Sequence, residues 1–405
     1  MREPLTYRSQ KQFIYSTQGL GESIDIMGLL HGRYEAERLP KDFSPERIVP
    51  DFAFNVLNPL GLLYRPIVDE AYLKNGGEKP RWPEGKPFAV CLTHDVDLVY
   101  LYSLKAAFRQ HFCNLKNIRG KRERIRSLAA LGWHSFQAVN HINSDDPLFC
   151  YEKWLEVEAS YGARSTFFFW PGWSAVRKHH HSDCPYELTD KVVFDGQKCT
   201  VAEMIQEIDR RGWEIGLHPS WYSFDDADEM KRQKEALERA LGKEVVSVRQ
   251  HFLHYDIRIS PRVQAEAGLK YDATLGFNDN IGFRFGTCYP FRLYDLKEEK
   301  ELAIIEVPLI IQDGAMLNPQ KGMRLDEDTA FEYVMQLTDE VEKVGGVLTL
   351  LWHPNSIINP PWWNLYLRTL EYLNSKGAFF GTVSDIASQY SEFNLNTGAV
   401  SSQYK

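Results

Sequence analysis

The sequence lacks the features that mark membrane-spanning, secreted and disulfide-stabilised proteins. Its 405 residues contain no apolar run of about twenty residues, so we expect no transmembrane helix and no stable membrane insertion. The first fifteen residues carry several charges and no apolar signal-peptide core, which predicts a cytoplasmic protein. The six cysteines lie far apart without any Cys-x-x-Cys pair, which indicates reduced thiols and not a disulfide frame. The formal charge of −8 argues against general nucleic-acid binding.

The composition is that of an ordinary globular protein. Hydrophobic residues make up 43% of the chain and charged residues 25%, which is ample material for a large core. A charged stretch rich in Gly and Pro at 76–87 indicates a boundary. We therefore predict a small α/β module of unknown role at 1–86, a barrel domain at 87–395 and a polar tail at 396–405.

A pair of carboxylates is the most informative local feature. Residues 93–97 read Thr-His-Asp-Val-Asp and follow an apolar run, 88–92, that predicts a buried strand. Asp95 and Asp97 are two residues apart, so they lie on the same side of the pleat. Two like charges this close raise each other's cost of ionisation. A divalent cation resolves the conflict, because one carboxylate can bind it while the other acts as a base.

Three later predicted strands also end in polar side chains. The apolar runs at 213–217, 245–248 and 346–352 lead to His218, to Arg249 with His251, and to His353. A single His is more often structural than functional. Polar groups at successive strand ends, with about seven alternating βα units, are instead typical of the C-terminal face of a parallel α/β barrel.

Together these segments resemble the motifs of the polysaccharide deacetylase family, the NodB-homology fold of carbohydrate esterase family four. Residues 93–97 resemble its first motif with one residue inserted between the acids, and the remaining similarities lie at 165–169, 216–220, 248–251 and 350–354. The resemblance covers about three-quarters of the chain, from near residue 87 onward. It implies an incomplete (β/α)7 barrel of the glycoside hydrolase and deacetylase type, beside the small N-terminal module.

The resemblance also implies an activity, the metal-dependent removal of an acetyl group from an N-acetylated sugar or glycan precursor. It assigns the base to Asp95, metal binding to Asp97 and His218, and the orientation of Asp95 to Arg249. His353 suits the acid that protonates the departing nitrogen, because an imidazole can be charged near neutral pH.

The sequence departs from the family pattern at one metal ligand. The family usually places a second His four residues after the first, where this chain has Tyr222. We predict that His251 replaces it, with His254, the Tyr222 hydroxyl or water as alternatives. One carboxylate and two imidazoles would hold one divalent ion, with zinc as the expected metal.

Further side chains are candidates for supporting roles. Asp272 and Asp313 could orient the acid or the arginine from behind, or could equally be helix caps. Trp352 or Trp221 could stack on a sugar ring, although most Trp residues serve packing. Leu351 could line a pocket for the acetyl methyl group.

A predicted helical insertion at about 100–146 is strongly basic, with eight Lys or Arg and a single acidic residue between Leu101 and Arg126. A solvated helix face is the usual explanation. The insertion directly follows Asp97, however, so it could attract an anionic substrate such as a nucleotide-linked, lipid-diphosphate-linked or uronate-bearing glycan. The three His of 179–181 are expected to form a solvated loop.

Two other functions stay open from the sequence. The chain could hydrolyse another non-peptide C–N bond, such as that of a cyclic imide or ureide. It could also be a non-catalytic glycan-binding barrel, since one family ligand is replaced by Tyr222. The two acids and His353 favour an enzyme.

Overall fold

The computed structural model describes residues 14–16, 23–39, 55–117, 121–140 and 146–396. Much of the predicted polar tail and parts of the predicted N-terminal module lie outside these residues. Within the described residues, no helix combines the length and the hydropathy needed to cross a bilayer.

A ten-stranded sheet forms the centre of the molecule. In chain order the fourteen strands of the described residues are β1 Ile14–Ser16, β2 Ser23–Asp25, β3 Ala89–Val96, β4 Thr166–Phe169, β5 Lys191–Phe194, β6 Gln197–Thr200, β7 Glu214–Leu217, β8 Ser247–Val248, β9 Tyr271–Asp272, β10 Phe291–Asp295, β11 Lys300–Glu306, β12 Ile311–Gln312, β13 Val347–Leu351 and β14 Phe379–Gly381. Ten of the fourteen form this sheet, and β1–β2 and β5–β6 form two separate pairs. The sheet order is β10-β11-β9-β8-β7-β4-β3-β13-β12, and β14 pairs with the first half of β3. All eight residues of β3 are buried, as expected of a strand that other elements cover on both faces.

Helices connect and cover these strands. They span Ile26–Leu30, Arg33–Arg38, Ile67–Lys74, Leu104–Asn117, Lys121–Asn140, Tyr151–Ser160, Val201–Arg210, Ala227–Leu241, Ser260–Glu266, Asp313–Leu317, Glu327–Val344, Pro360–Ser375 and Val383–Asn396. Local sequence explains several of their ends. Thr200 and Glu203 form a reciprocal capping box at one N-terminus. Gly242 ends another helix at φ 84°, a left-handed conformation that glycine adopts without steric cost.

The mixed α/β class predicted from the sequence is confirmed, but the count of seven βα units is not. Nine strands of the sheet run parallel, and β10 joins its edge antiparallel to β11. A separate hairpin, β5–β6, lies in the connection between β4 and β7. Among the described residues no ladder joins β12 to β10, so the sheet stays open at these edges.

The described N-terminal segments pack directly against the large sheet domain. The buried Asp69 carboxylate accepts hydrogen bonds from the Thr287 hydroxyl and from the Cys288 backbone N–H, the latter at 2.8 Å. The Trp82 indole N–H donates to the Gly345 carbonyl at 2.9 Å. The domain boundary near residue 86 stays a prediction.

The ends of the insertion are joined by one side chain. The Asp146 carboxylate accepts hydrogen bonds from the backbone N–H groups of Leu101, Tyr102 and Leu148 at 2.8–2.9 Å. Helices Leu104–Asn117 and Lys121–Asn140 pack against each other between these ends. The insertion is therefore a helical hairpin whose base lies next to the C-terminal end of β3.

Candidate metal and catalytic site

Polar side chains from four strands meet at one edge of the sheet. Asp95 is the second-last residue of β3, and Asp97 directly follows that strand, while His218 directly follows β7. His251 comes three residues after β8, and His353 comes two residues after β13. These strands are parallel, so their carboxyl ends point the same way and bring the side chains together.

His94, between the two acids, faces the opposite side of the strand. Its Nδ1 lies 2.7 Å from the Trp352 carbonyl oxygen, and its Nε2 lies 2.7 Å from a carboxylate oxygen of Glu158. All three residues are fully buried. His94 therefore fastens β3 to the core, while pleat alternation directs Asp95 and Asp97 to the site.

Asp97, His218 and His251 form a group that could hold a metal ion, with ligand atoms all within 4.8 Å of one another. Oδ1 of Asp97 lies 3.3 Å from Nε2 of His218 and 3.6 Å from Nε2 of His251. A carboxylate with two imidazoles suits zinc and several other divalent ions, and leaves coordination positions for water and substrate.

The hydrogen bonding of His218 fits a metal ligand. Its Nδ1 lies 2.7 Å from the Arg249 carbonyl oxygen, which can only accept, so Nδ1 carries the hydrogen and the Nε2 lone pair faces the cluster. This Nε2 is buried and has no hydrogen-bond partner among the described residues. Such a polar atom is costly to leave unsatisfied, and a bound cation would satisfy it.

The charges within this group attract one another. Burial acts to raise the pKa of Asp97, but the neighbouring imidazoles of His218 and His251 outweigh burial and hold that pKa below its usual range. Burial lowers the pKa of His218, yet the carboxylates of Asp95 and Asp97 raise it overall. A metal ion would therefore compete with a proton for His218, so its binding would be stronger at higher pH.

The alternative third ligands lie elsewhere. Nδ1 of His254 is 2.9 Å from the Trp221 carbonyl oxygen, and its ring stacks on the Trp221 indole at 4.0 Å. The Tyr222 ring lies under the Lys178 ammonium at 3.5 Å. Among the described residues, the group of His and acidic side chains able to share an ion includes His251 and not His254.

Arg249 faces the predicted base. Its guanidinium is fully buried, with a nitrogen 3.7 Å from Oδ1 of Asp95. Its side-chain nitrogens have no hydrogen-bond partner among the described residues, and neither does Oδ1 of Asp95. The Phe168 ring lies 5.0 Å from the guanidinium carbon. The two opposite charges are thus held close together in a site with little access to water.

His353 is held by Asp313, at the start of the helix after β12. One Asp313 oxygen lies 2.7 Å from Nδ1 of His353, and the other accepts the His353 backbone N–H at 2.9 Å. Nε2 of His353 therefore faces the cluster, 3.8 Å from Asp97. Burial lowers the pKa of His353, but the charge and hydrogen bond of Asp313 outweigh it and raise the pKa to about 10. The imidazole is consequently charged at neutral pH.

Asp272, the other predicted supporting acid, lies on the Arg249 side of the site. Its carboxylate accepts from the backbone N–H of Thr274 at 3.1 Å, and it sits directly across the ladder from Glu306. Burial raises the pKa of Asp272 to about 6, and burial with the Asp272 charge raises the pKa of Glu306 well above its usual range. Burial and mutual repulsion therefore disfavour the ionisation of both carboxyl groups at once, and the two groups titrate as a pair. No sequence motif marks Glu306; its place at the end of an apolar strand was the available signal.

The residues predicted to bind substrate are buried. Trp352 and Trp221 are 0% and 1% exposed, so neither ring presents a face to solvent in this structure. The chain is extended here, so directing His353 to the site turns the preceding Trp352 into the core. Leu351 belongs to a small apolar cluster with Leu253 and Leu309, apart from the main core.

A loop that no motif marks approaches the metal-binding group. The Cys184 sulfur lies 3.9 Å from Oδ1 of Asp97 and 4.0 Å from Nε2 of His251. The buried Asp183 carboxylate lies 3.9 Å from Nδ1 of His251 and accepts the Trp221 backbone N–H at 2.9 Å. These contacts depend on tertiary folding and have no local sequence signature.

Comparisons with known proteins identify the fold. No family model matches the chain, and no curated protein matches it. An inferred polysaccharide deacetylase from Mycobacterium smegmatis is 18% identical, with a TM-score of 0.50, over 81% of this chain and 98% of that one. This similarity shows that the two chains share their fold.

Two further solved structures are similar. Puue allantoinase is 15% identical, with a TM-score of 0.48, over 78% of this chain and 94% of its own. An inferred polysaccharide deacetylase from Pseudomonas aeruginosa is 16% identical, with a TM-score of 0.47, over 78% and 95%.

Proposed function

We propose that this protein is a metal-dependent hydrolase that removes an acetyl group from an N-acetylated sugar or glycan precursor. The observation that carries the proposal is the placement of three parts at one edge of the sheet. These are the Asp97-His218-His251 group, the Asp95 carboxylate facing Arg249, and the charged His353 held by Asp313. The fold shared with an inferred polysaccharide deacetylase supports the choice of substrate class.

Amide hydrolysis requires an activated carbonyl, a base and an acid. A divalent ion held by the metal-binding group would polarise the acetyl carbonyl and lower the pKa of water from 15.7 toward about 7. Asp95 would accept the proton of the attacking water, since its carboxylate lies 4.0 Å from Nε2 of His218 at the edge of that group. The Arg249 guanidinium, 3.7 Å from Oδ1 of Asp95, would fix the orientation of that carboxylate.

The departing nitrogen needs a proton, because an amine anion is a very poor leaving group. His353 would supply it from Nε2, the nitrogen that faces the site. Asp313 holds the opposite nitrogen, which fixes the ring and keeps it charged. The apolar cluster that contains Leu351 would provide a wall for the acetyl methyl group.

The test is acetate release by metal-loaded protein from N-acetylated sugars and oligosaccharides, neutral and anionic. Asp95→Asn should lower kcat by about 10²–10⁴, the usual worth of a positioned proton-transfer group, without loss of metal. Asp228→Asn, an exposed carboxylate in a helix first turn, is the matched control and should leave kcat unchanged.

The same assay separates the other functions. Turnover of a cyclic imide or ureide, with none of the acetamides, would replace the proposal with a different C–N hydrolase. Saturable glycan binding by the metal-loaded protein without turnover of any substrate would instead show a binding barrel.

A further inference from the structure

The exposed apolar side chains of this protein are concentrated in one place. Eight large apolar residues are exposed among the described residues, and seven of them fall between 101 and 139, each 42–59% exposed. These seven are Leu101, Phe108, Ile125, Leu128, Trp133, Phe136 and Val139. Scattered exposed apolar residues need no explanation, but a continuous cluster on one element marks an interaction surface.

Most of these side chains share one face of helix Lys121–Asn140. At 100° per residue, the five positions from Ile125 to Val139 fall within an arc of roughly 140°. The rings of Trp133 and Phe136 stack on this face with centroids 6.0 Å apart. The helix is therefore amphipathic with its apolar side turned outward.

The opposite face of the same helix packs within the hairpin. Ser127 and Ala138 are buried, and the Ser127 hydroxyl lies 2.9 Å from Nδ1 of His111 on the first helix. The outward apolar face therefore takes no part in the packing between the two helices, and a partner outside the hairpin would cover it.

The hairpin is also the basic part of an acidic protein. Residues 104–140 contain eight Lys or Arg and one acidic residue, and six of the eight lie between Lys116 and Arg126 in the sequence. The chain has 47 basic and 55 acidic residues, so 39 basic and 54 acidic residues remain outside the hairpin. Positive charge beside an apolar aromatic face is the composition of helices that lie in the surface of an anionic bilayer.

We infer that the helical hairpin 104–140 docks this protein on the surface of an anionic lipid bilayer. The apolar face would enter the boundary between headgroups and acyl chains, and the basic residues at the start of helix Lys121–Asn140 would contact the anionic headgroups. The hairpin would lie in the plane of the bilayer surface and would not span the bilayer. A second copy of the chain fits less well, because both copies would bring the same positive hairpin to the interface.

Ion pairs fix the base of the hairpin to the domain that bears the site. A guanidinium nitrogen of Arg109 lies 2.5 Å from Asp190, and the Tyr100 hydroxyl donates to the same carboxylate at 2.8 Å. The hairpin begins at Leu104, seven residues after Asp97. Docking would therefore hold the strand-end edge of the sheet near the bilayer, whichever reaction takes place there.

The test is co-sedimentation of the full chain with vesicles of phosphatidylcholine alone and with vesicles that also contain phosphatidylglycerol. Binding should increase with phosphatidylglycerol and weaken as salt screens the charges. The double variant Trp133→Ser with Phe136→Ser should bind at least about tenfold more weakly, since it removes the two large aromatic side chains that would enter the bilayer. Ile358→Ser changes an exposed apolar residue in a different part of the chain and should bind like the parent chain.

A second variant guards against misfolding. Lys121→Glu with Arg122→Glu leaves the apolar face intact and should reduce binding to phosphatidylglycerol vesicles specifically. The inference would be overturned if the parent chain did not bind vesicles. It would also be overturned if binding were the same with and without phosphatidylglycerol and were unchanged in both double variants. Light scattering tests the alternative of a second copy. If the parent chain has the mass of two chains and the Trp133 and Phe136 changes reduce it to one, the apolar face binds a second copy and the inference is overturned.

Discussion

The replacement Asp313→Asn tests how the proposed acid is kept charged. It removes one negative charge with little change of shape, 2.7 Å from Nδ1 of His353. Burial alone lowers the pKa of His353, and Asp313 makes the largest contribution that raises it to about 10. Without this charge the pKa of His353 is lower, although the carboxylates of Asp97 and Asp95 still raise it, and the imidazole loses its proton at lower pH.

The size of the effect follows from the pKa. A rise from 6.5 to about 10 corresponds to about 5 kcal/mol of preference for the charged ring, with Asp313 as its main source. Once the lowered pKa falls below the assay pH, activity should drop about tenfold for each further pH unit, up to the 10²–10⁴ that a general acid contributes. The pKa of His353 also determines how the variant's stability depends on pH. A raised His pKa adds to the free energy of unfolding below pH 6.5, and this contribution is lost as pH rises toward 10, so the variant should lose most stability at low pH.

The assay is the pH profile of kcat/KM on an acetamide. In Asp313→Asn the basic limb should move to lower pH, and the activity that remains should be largest on the acidic side. Asp272→Asn is the matched control, since it also replaces a buried carboxyl at the site but has no bond to His353. A uniform loss at all pH values, with the basic limb unmoved, would show that Asp313 only supports the local backbone.

Three further outcomes are expected. His353→Ala should reduce turnover of acetamides about 10²–10⁴-fold but that of activated acetate esters much less, because a phenoxide leaves without a proton; equal losses would remove the acid role. His251→Ala should weaken Zn²⁺ affinity at least about tenfold in a calorimetric titration while His254→Ala does not, and the reverse result would move the ligand. The raised pKa of Glu306 makes the folded state retain a proton that the unfolded chain releases, so the free energy of unfolding should decline as pH rises from about 5 to 8. Glu306→Gln should make this decline less steep, by up to about 1.4 kcal/mol per pH unit. An unchanged slope in urea unfolding would show that Glu306 does not hold the proton.

Those parts of the site that depend on local periodicity could be predicted from the sequence. The pleat places Asp95 and Asp97 on one side and His94 on the other, and short apolar runs mark the strands that end near His218 and His353. Even the partnership of His251 with His218 follows from neighbouring strands, since Leu217 of β7 pairs with Val248 of β8.

Features that depend on tertiary packing could not be predicted in this way. Glu306 meets Asp272 only through the β9–β11 pairing, and Cys184 reaches Asp97 only because a loop folds over the strand ends. The burial of Trp352 depends on the direction of the chain beyond the last strand residue. The number of strands also escaped prediction, because the antiparallel edge β10 carries no periodicity that distinguishes it from a parallel strand.

The most direct measurement is anomalous diffraction at the zinc absorption edge from crystals grown with Zn²⁺. We expect one strong peak within about 2.0–2.3 Å of an Asp97 oxygen and of Nε2 of both His218 and His251. Neither His254 nor Tyr222 should be a ligand. A zinc peak at the His cluster 179–181 alone, or no peak among the three predicted ligands, would show that Asp97, His218 and His251 do not form the metal site.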